Sequence, residues 1–263
     1  MMDFQHIKIE KQDGIFILTL DRPEAKNALS TKLWEELCDA FDMFEHDDES
    51  LVCIMTNTGD VFCAGSDLKE LKEGKQHPPK WREDWGFGGM TRHYIPKPII
   101  IAVNGKAIGG GAEMLLSSDL AVITSDGLIG FPEVAWALLA TGGGGLLKIG
   151  RSVPVKRAME LMLTGDPIDP QTALDWGLVN RVADPGCALD VAIDLAKAIM
   201  KNGPLAIQWT KTAIYDCMDK PWLGQSDGWR MMLDLDRQSK ATRDAKEGET
   251  AFAEKRKPQW EGR

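Results

Sequence analysis

Two spacings of apolar residues alternate along the chain, and each switch between them marks an element. Ile7-Lys8-Ile9-Glu10 and Ile15-Phe16-Ile17-Leu18-Thr19-Leu20 flank Asp13-Gly14, which predicts two strands joined by a hairpin turn, with Asp21-Arg22-Pro23 closing the second. Ser30 reads as an N-cap, and Leu33, Trp34, Leu37, Ala40, Phe41 and Phe44 recur at helical spacing behind it. Val52-Cys53-Ile54-Met55-Thr56 predicts a short strand. Val61-Phe62-Cys63 then leads through a tight turn at Gly65 into a capped helix, a segment in which the Ser66 N–H would point outward. Pro98-Ile99-Ile100-Ile101-Ala102-Val103 and Leu120-Ala121-Val122-Ile123-Thr124 predict buried strands, and Leu128-Ile129-Gly130-Phe131 a further short one with a helical run beyond Pro132.

Strand, turn, strand and helix thus recur around residues 7–44, 52–71, 99–118 and 120–140, which implies a stacked spiral of ββα turns and an α/β fold. Residues 72–95 are charged and punctuated by Pro78-Pro79, Trp81, Trp85 and Gly86-Phe87-Gly88-Gly89, as in a packed irregular loop or a lid over an acyl pocket. Helical patterns follow at 155–163, 170–176 and 186–202. Strand signals cease near residue 200, dividing the chain into 1–200 and a helical 201–263, in which Trp209, Ile214, Trp222, Trp229, Met231, Met232 and Leu235 are candidate core.

Composition narrows the function. Apolar residues at 43% and charged residues at 27% are ordinary for a globular protein, and a net charge of −9 argues against nucleic-acid binding. The five cysteines, Cys38, Cys53, Cys63, Cys187 and Cys217, have no metal-ligand spacing and are expected to be reduced thiols. No apolar run approaches a membrane span, and the first residues lack the apolar centre of a signal peptide, so a cytoplasmic protein without membrane partners is expected.

The chemistry concentrates between Asn104 and Glu133. Gly109-Gly110-Gly111 opens into an apolar helix, where backbone can approach a ligand closely and unpaired N–H groups face outward. Such a place suits a carbonyl oxygen that becomes an anion, and Glu113 and Glu133 are nearby carboxyls for proton transfer. Taken alone, the stretch also describes a tight, closely packed turn. The glycines match neither the dinucleotide fingerprint nor a P-loop, Ser66 is no nucleophile elbow, and the four histidines have no helical partners. Carboxylates remain as the proton-transfer groups.

Four ordered segments carry a resemblance: Asp21-Arg22-Pro23 with Asn27-Ala28-Leu29, Phe62 to Glu70, Asn104-Gly105 with Gly109 to Glu113, and Phe131-Pro132-Glu133. Together they resemble the enoyl-CoA hydratase/isomerase (crotonase) superfamily, nearly end to end, from Ile7 to Arg256. The resemblance implies a crotonase-type spiral of ββα units with a helical C-terminal oligomerisation region that assembles trimers or dimers of trimers. It implies an oxyanion hole from the N–H groups of Ser66 and Gly110, with Glu113 activating water and Glu133 delivering a proton to the α-carbon. It further implies a CoA-binding strip of Lys26, Ala28, Leu29, Ala64, Ser66, Asp67, Leu68, Lys69 and Gly110, joined by Phe252 and Lys255 from a neighbouring subunit. The partner would be an acyl-CoA substrate, with no cofactor beyond its CoA thioester. After Glu133 the chain departs from the family pattern: Val134-Ala135-Trp136-Ala137 lacks a proline, and Trp136 is expected to flank the acyl pocket. The tail and Gly86-Phe87-Gly88-Gly89 also resemble carnitinyl-CoA dehydratases, and an isomerase or hydrolase of the superfamily is the other alternative.

Overall fold

A computed structural model describes residues 4–221 and 226–262. The predicted hairpin forms from β1 (Ile7–Gln12) and β2 (Ile15–Leu20), antiparallel with Ile7 opposite Leu20, and Asp13 and Gly14 both take positive φ in the turn. Ser30 caps α1 (Thr31–Glu45) by accepting the Leu33 N–H at 3.2 Å. Leu33, Leu37, Ala40, Phe41 and Phe44 are buried as the periodicity predicts, while Trp34 is half-buried. Glu36 is buried as well, its carboxylate accepting the N–H groups of Gln5 and His6 at 2.8 Å each.

The spiral follows. β3 (Val52–Asn57), β4 (Val61–Cys63) and α2 (Leu68–Lys72) make one turn, and β5 (Ile99–Val103), β6 (Lys106–Ile108) and α3 (Gly110–Leu115) the next. A third begins with β7 (Leu120–Thr124) and β8 (Leu128–Gly130). Each of these turns gives its first strand to one sheet and its second strand to another. The larger sheet runs β1-β2-β3-β5-β7-β9 once β9 (Arg181–Ala183) is added, and the smaller runs β4-β6-β8 with parallel pairing throughout. Phe16, Phe41, Phe44 and Phe62 fill the core between these layers and α1, all inaccessible to solvent.

One expectation changes here. The run beyond Pro132 is not a helix but a single 3-10 turn, Pro132–Trp136, closed by Ala137 at φ 56°. Its apolar residues are consecutive rather than periodic, so no face is singled out for burial. Residues 85–91 form the packed irregular loop that is one of the two readings of this segment: Trp85, Phe87 and Met90 are buried, and Trp34 Nε1 donates to the Gly86 carbonyl at 3.0 Å.

Helices dominate thereafter: α4 (Gly145–Ser152), α5 (Val155–Thr164), α6 (Pro170–Trp176), α7 (Ala188–Met200), α8 (Pro204–Cys217), α9 (Asp227–Lys240) and α10 (Arg243–Glu254). By contacts the described chain divides into two compact units, residues 4–95 with 99–196, and residues 96–98 with 197–262. In the second unit the buried Asp244 accepts the N–H groups of Glu261 and Gly262 at 2.7 and 3.0 Å, and Trp260 Nε1 donates to the Lys201 carbonyl at 3.0 Å. The candidate core of this unit is not buried: Ile214, Trp229 and Met232 are exposed, and Trp209, Met231 and Leu235 are half-buried. Helical spacing identified an apolar stripe but not what covers it. Trp222 lies outside the described residues.

Candidate active site

The smaller sheet positions the site. Its three strands are parallel neighbours, and β4, β6 and β8 end within two or three residues of Ser66, Gly110 and Glu133 respectively. Adjacent strands lie about 4.8 Å apart, so the three segments emerge side by side at the carboxyl ends of one sheet, where open α/β folds gather their ligands.

Beyond β4 the chain turns at Gly65, with φ +89°. Leu29 N–H donates to the Gly65 carbonyl at 2.8 Å and Asp67 N–H to the Leu29 carbonyl at 3.0 Å, a parallel bridge that straddles Ser66. The residue in the middle of such a bridge points its own N–H the other way. On that other side lies the second loop: a Cβ on Gly65 would sit 3.1 Å from the Gly110 nitrogen. The Ser66 and Gly110 N–H groups are thus brought to neighbouring loops, and among the described residues neither donates to a protein acceptor.

Gly109 takes φ 56°, ψ −123° at the head of α3, a conformation that favours glycine. A Cβ on Gly110 would come 2.4 Å from the Phe87 ring, so Phe87 packs directly over this peptide. One turn on, Glu113 is buried, and both of its oxygens accept backbone N–H groups: Oε2 from Gly143 at 2.8 Å and Oε1 from Gly145 at 2.9 Å. Two amide donors on one carboxyl suit an ionised group that only accepts.

Glu133 approaches from β8, and a Cβ on Gly109 would lie 3.1 Å from its Oε1. Its Oε2 is buried without a hydrogen-bond partner. Burial first, and the Glu113 charge in addition, push its carboxyl above the ordinary range despite a bond from its own backbone. The paired carboxyls therefore differ: Glu113 is clasped at both oxygens, and Glu133 is partly desolvated with one oxygen unclaimed. That asymmetry favours the protonated form of Glu133 more than an ordinary carboxyl would.

The remaining expected positions divide. Ala64 N–H donates to the Lys26 carbonyl at 3.1 Å, so residues 26–29 and 64–67 run alongside each other, and the strip of Lys26, Ala28, Leu29, Ala64, Ser66 and Asp67 is contiguous. Leu68 and Lys69 are exposed on α2, Leu68 at 72%. The Asp67 side chain is already occupied: it caps α2 through the Lys69 and Glu70 amides and meets Arg22 Nη1 at 2.8 Å. Burial pushes its carboxyl up, but Arg22 and those amides outweigh it and hold it below the usual range. Phe252, 88% exposed, and Lys255, in the left-handed cap of α10, belong to the C-terminal unit. Trp136, expected to flank the acyl pocket, is 75% exposed at the end of the 3-10 turn.

Sequence reasoning missed the groups that hold Glu113. Gly143 and Gly145 belong to the glycine run Gly142 to Gly145, which matches no binding motif and acts through its backbone N–H groups. Lys148 was missed too. Lys148 Nζ donates to the Thr91 carbonyl at 2.6 Å, Ser117 Oγ at 2.5 Å and the Gly143 carbonyl at 3.1 Å.

Comparison with known proteins gives one consistent answer. A family profile described as Enoyl-CoA hydratase/isomerase matches residues 10–263. An enoyl-CoA hydratase of Mycobacterium tuberculosis, EchA19, is 35% identical over 97% of this chain and 96% of its own length. A carnitinyl-CoA dehydratase of Proteus mirabilis is 34% identical over 98% and 99%. The crystal structure of an enoyl-CoA hydratase from Mycobacterium tuberculosis H37Rv superposes with a TM-score of 0.90 at 40% identity, covering 98% of this chain and 99% of that one.

Proposed function

The chain belongs to the enoyl-CoA hydratase/isomerase family, and on that premise we propose that it adds water across the 2,3 double bond of an enoyl-CoA thioester, or removes it in the reverse direction. The observation that carries the reading is the unequal pair of carboxyls beside the glycine loop. Hydration needs a base for water and an acid for the α-carbon at the same time, and the amide-held Glu113 and the partly desolvated Glu133 suit those parts.

In this reading the thioester oxygen rests between the Ser66 and Gly110 N–H groups. They strengthen their hold as the oxygen gains enolate charge, at about 3–4 kcal/mol per donor. Glu113, oriented by Gly143 and Gly145, takes a proton from water as its oxygen bonds to the β-carbon. Glu133 gives its proton to the α-carbon. The CoA portion would lie along the strip of residues 26–29 and 64–69, and Phe252 and Lys255 would reach it from a neighbouring subunit. A homotrimer or a dimer of trimers agrees with the exposed apolar residues of the C-terminal unit. A cytoplasmic location and the absence of any further cofactor complete the proposal. Among the described residues no helix is long and apolar enough to cross a membrane.

The likeness to the Proteus mirabilis carnitinyl-CoA dehydratase favours a second substrate for the same chemistry, with water leaving rather than adding. Crotonyl-CoA and carnitinyl-CoA offered side by side, with the conjugated enoyl absorbance followed, separate the two. Glu113→Gln and Glu133→Gln are each expected to lower turnover by about 10²–10⁴-fold with circular dichroism unchanged. Near-normal turnover in either variant would remove that glutamate from the mechanism.

A further inference from the structure

Resting on the hydration reading, we infer that Lys148 is a positioning residue for Glu113, its ammonium fixing the glycine peptides that hold the catalytic carboxylate. The hydrogen bonds close a ring. The Gly143 N–H grips Glu113 Oε2, and the Gly143 carbonyl accepts from Lys148 Nζ. The same ammonium donates to Ser117 Oγ, whose proton goes on to the Glu113 carbonyl at 2.6 Å. The third ammonium proton reaches the Thr91 carbonyl, in the segment that carries Phe87 against Gly110. All three donors of one lysine are thus used on three different parts of the site.

A role in packing alone does not account for this arrangement. Removing an ammonium from water is costly, and its three acceptors here are neutral, so the charge gains no direct ion pair from them. The charged groups on the segments around Lys148 are Glu113 on α3, Arg92 and His93 beside Thr91, Arg151 on its own helix, and Lys156, Arg157 and Glu160 on α5. Of these only Glu113 acts on it: burial pushes its ammonium down to about 8, and the Glu113 carboxylate opposes the shift. As pH rises through that value the ammonium loses a proton, one of its bonds and its charge, and the clasp on Glu113 loosens.

Lys148→Met is the test, with crotonyl-CoA as the probe. At pH 7 kcat is expected to fall by about 10–100-fold, the scale of a slightly misplaced catalytic group. KM should stay within about twofold, because substrate contacts are untouched. The wild-type kcat should decline more steeply above pH 8 than that of the variant, in which only Glu133 still loses its proton. Wild-type kcat in the variant, an alkaline decline as steep as that of wild type, or a parallel rise in KM overturns the inference. Placement is read independently of turnover from a crystal structure of the variant: Glu113 still bonded to the Gly143 and Gly145 amides also overturns it. If wild type hydrates no enoyl-CoA, the hydration reading fails while this crystallographic arm still decides the role of Lys148. Should Lys148→Met not fold, Lys148→Gln, a neutral side chain that keeps polar atoms near the same acceptors, is judged by its alkaline decline, and a decline as steep as that of wild type overturns the inference.

Discussion

At the scale of single residues, the site depends on how differently two glutamates are treated. Glu113 has two amide donors, and Glu133 has an orphaned oxygen in a half-buried position. Burial raises the folded-state pKa of Glu133 above its unfolded value, so the folded protein holds a proton that the unfolded chain releases. Stability is therefore lost as pH rises through the window between the ordinary carboxylate value and the raised one. Glu133→Gln has no such dependence. Its Tm at neutral pH is expected to equal or exceed that of wild type, with the difference vanishing below the ordinary carboxylate range. Thermal melts across that range check it, and a Gln variant less stable at pH 7 would mean that the carboxylate is stabilised in the fold. Catalysis is expected to move oppositely, since the amide cannot donate the same proton.

Among the elements, the glycine run ahead of α4 matters most. A Cβ on Gly143 would lie 2.6 Å from the Glu113 Cβ, whereas one on Gly142 would make only ordinary contacts, 3.5 Å from Glu113 Oε2 and 3.6 Å from Phe87. Gly143→Ala must push the loop off the carboxylate and is expected to cost about 10²-fold in kcat, with Gly142→Ala close to wild type. Equal turnover in the two variants would show that the loop does not orient Glu113. The sequence made the strands and most helices legible because their apolar spacing is regular, and it made Glu113 and Glu133 legible as carboxyls beside a glycine turn. It could not reveal Gly143 and Gly145, because their contribution is main-chain N–H from some thirty positions away, and a backbone donor has no side-chain signature. Glu36 was hidden for a related reason: its partners are the amides of Gln5 and His6. β9 was missed because three residues carry too little pattern to be distinguished from a loop.

For the whole molecule, the C-terminal unit is the part the single chain leaves unfinished. Its apolar residues were legible as a stripe and misread as core, since periodicity reports which face is apolar and not whether this chain or another covers it. If a second copy covers that face, Ile214→Lys and Trp229→Lys should each shift the protein from trimer or hexamer toward monomer in sedimentation velocity. Unchanged sedimentation in both would place the assembly contacts elsewhere. The convergence of β4, β6 and β8 has a consequence of a different kind. Ser66, Gly110 and Glu133 arrive on three separate passes of the chain, and the residues that clasp Glu113 arrive later still. Non-local pairings of this sort are slow to form, so regained turnover during refolding should lag behind regained helix signal. No proteolytic fragment ending before residue 145 can carry the complete apparatus, which makes enzymatic activity a stringent reporter of fully recovered structure.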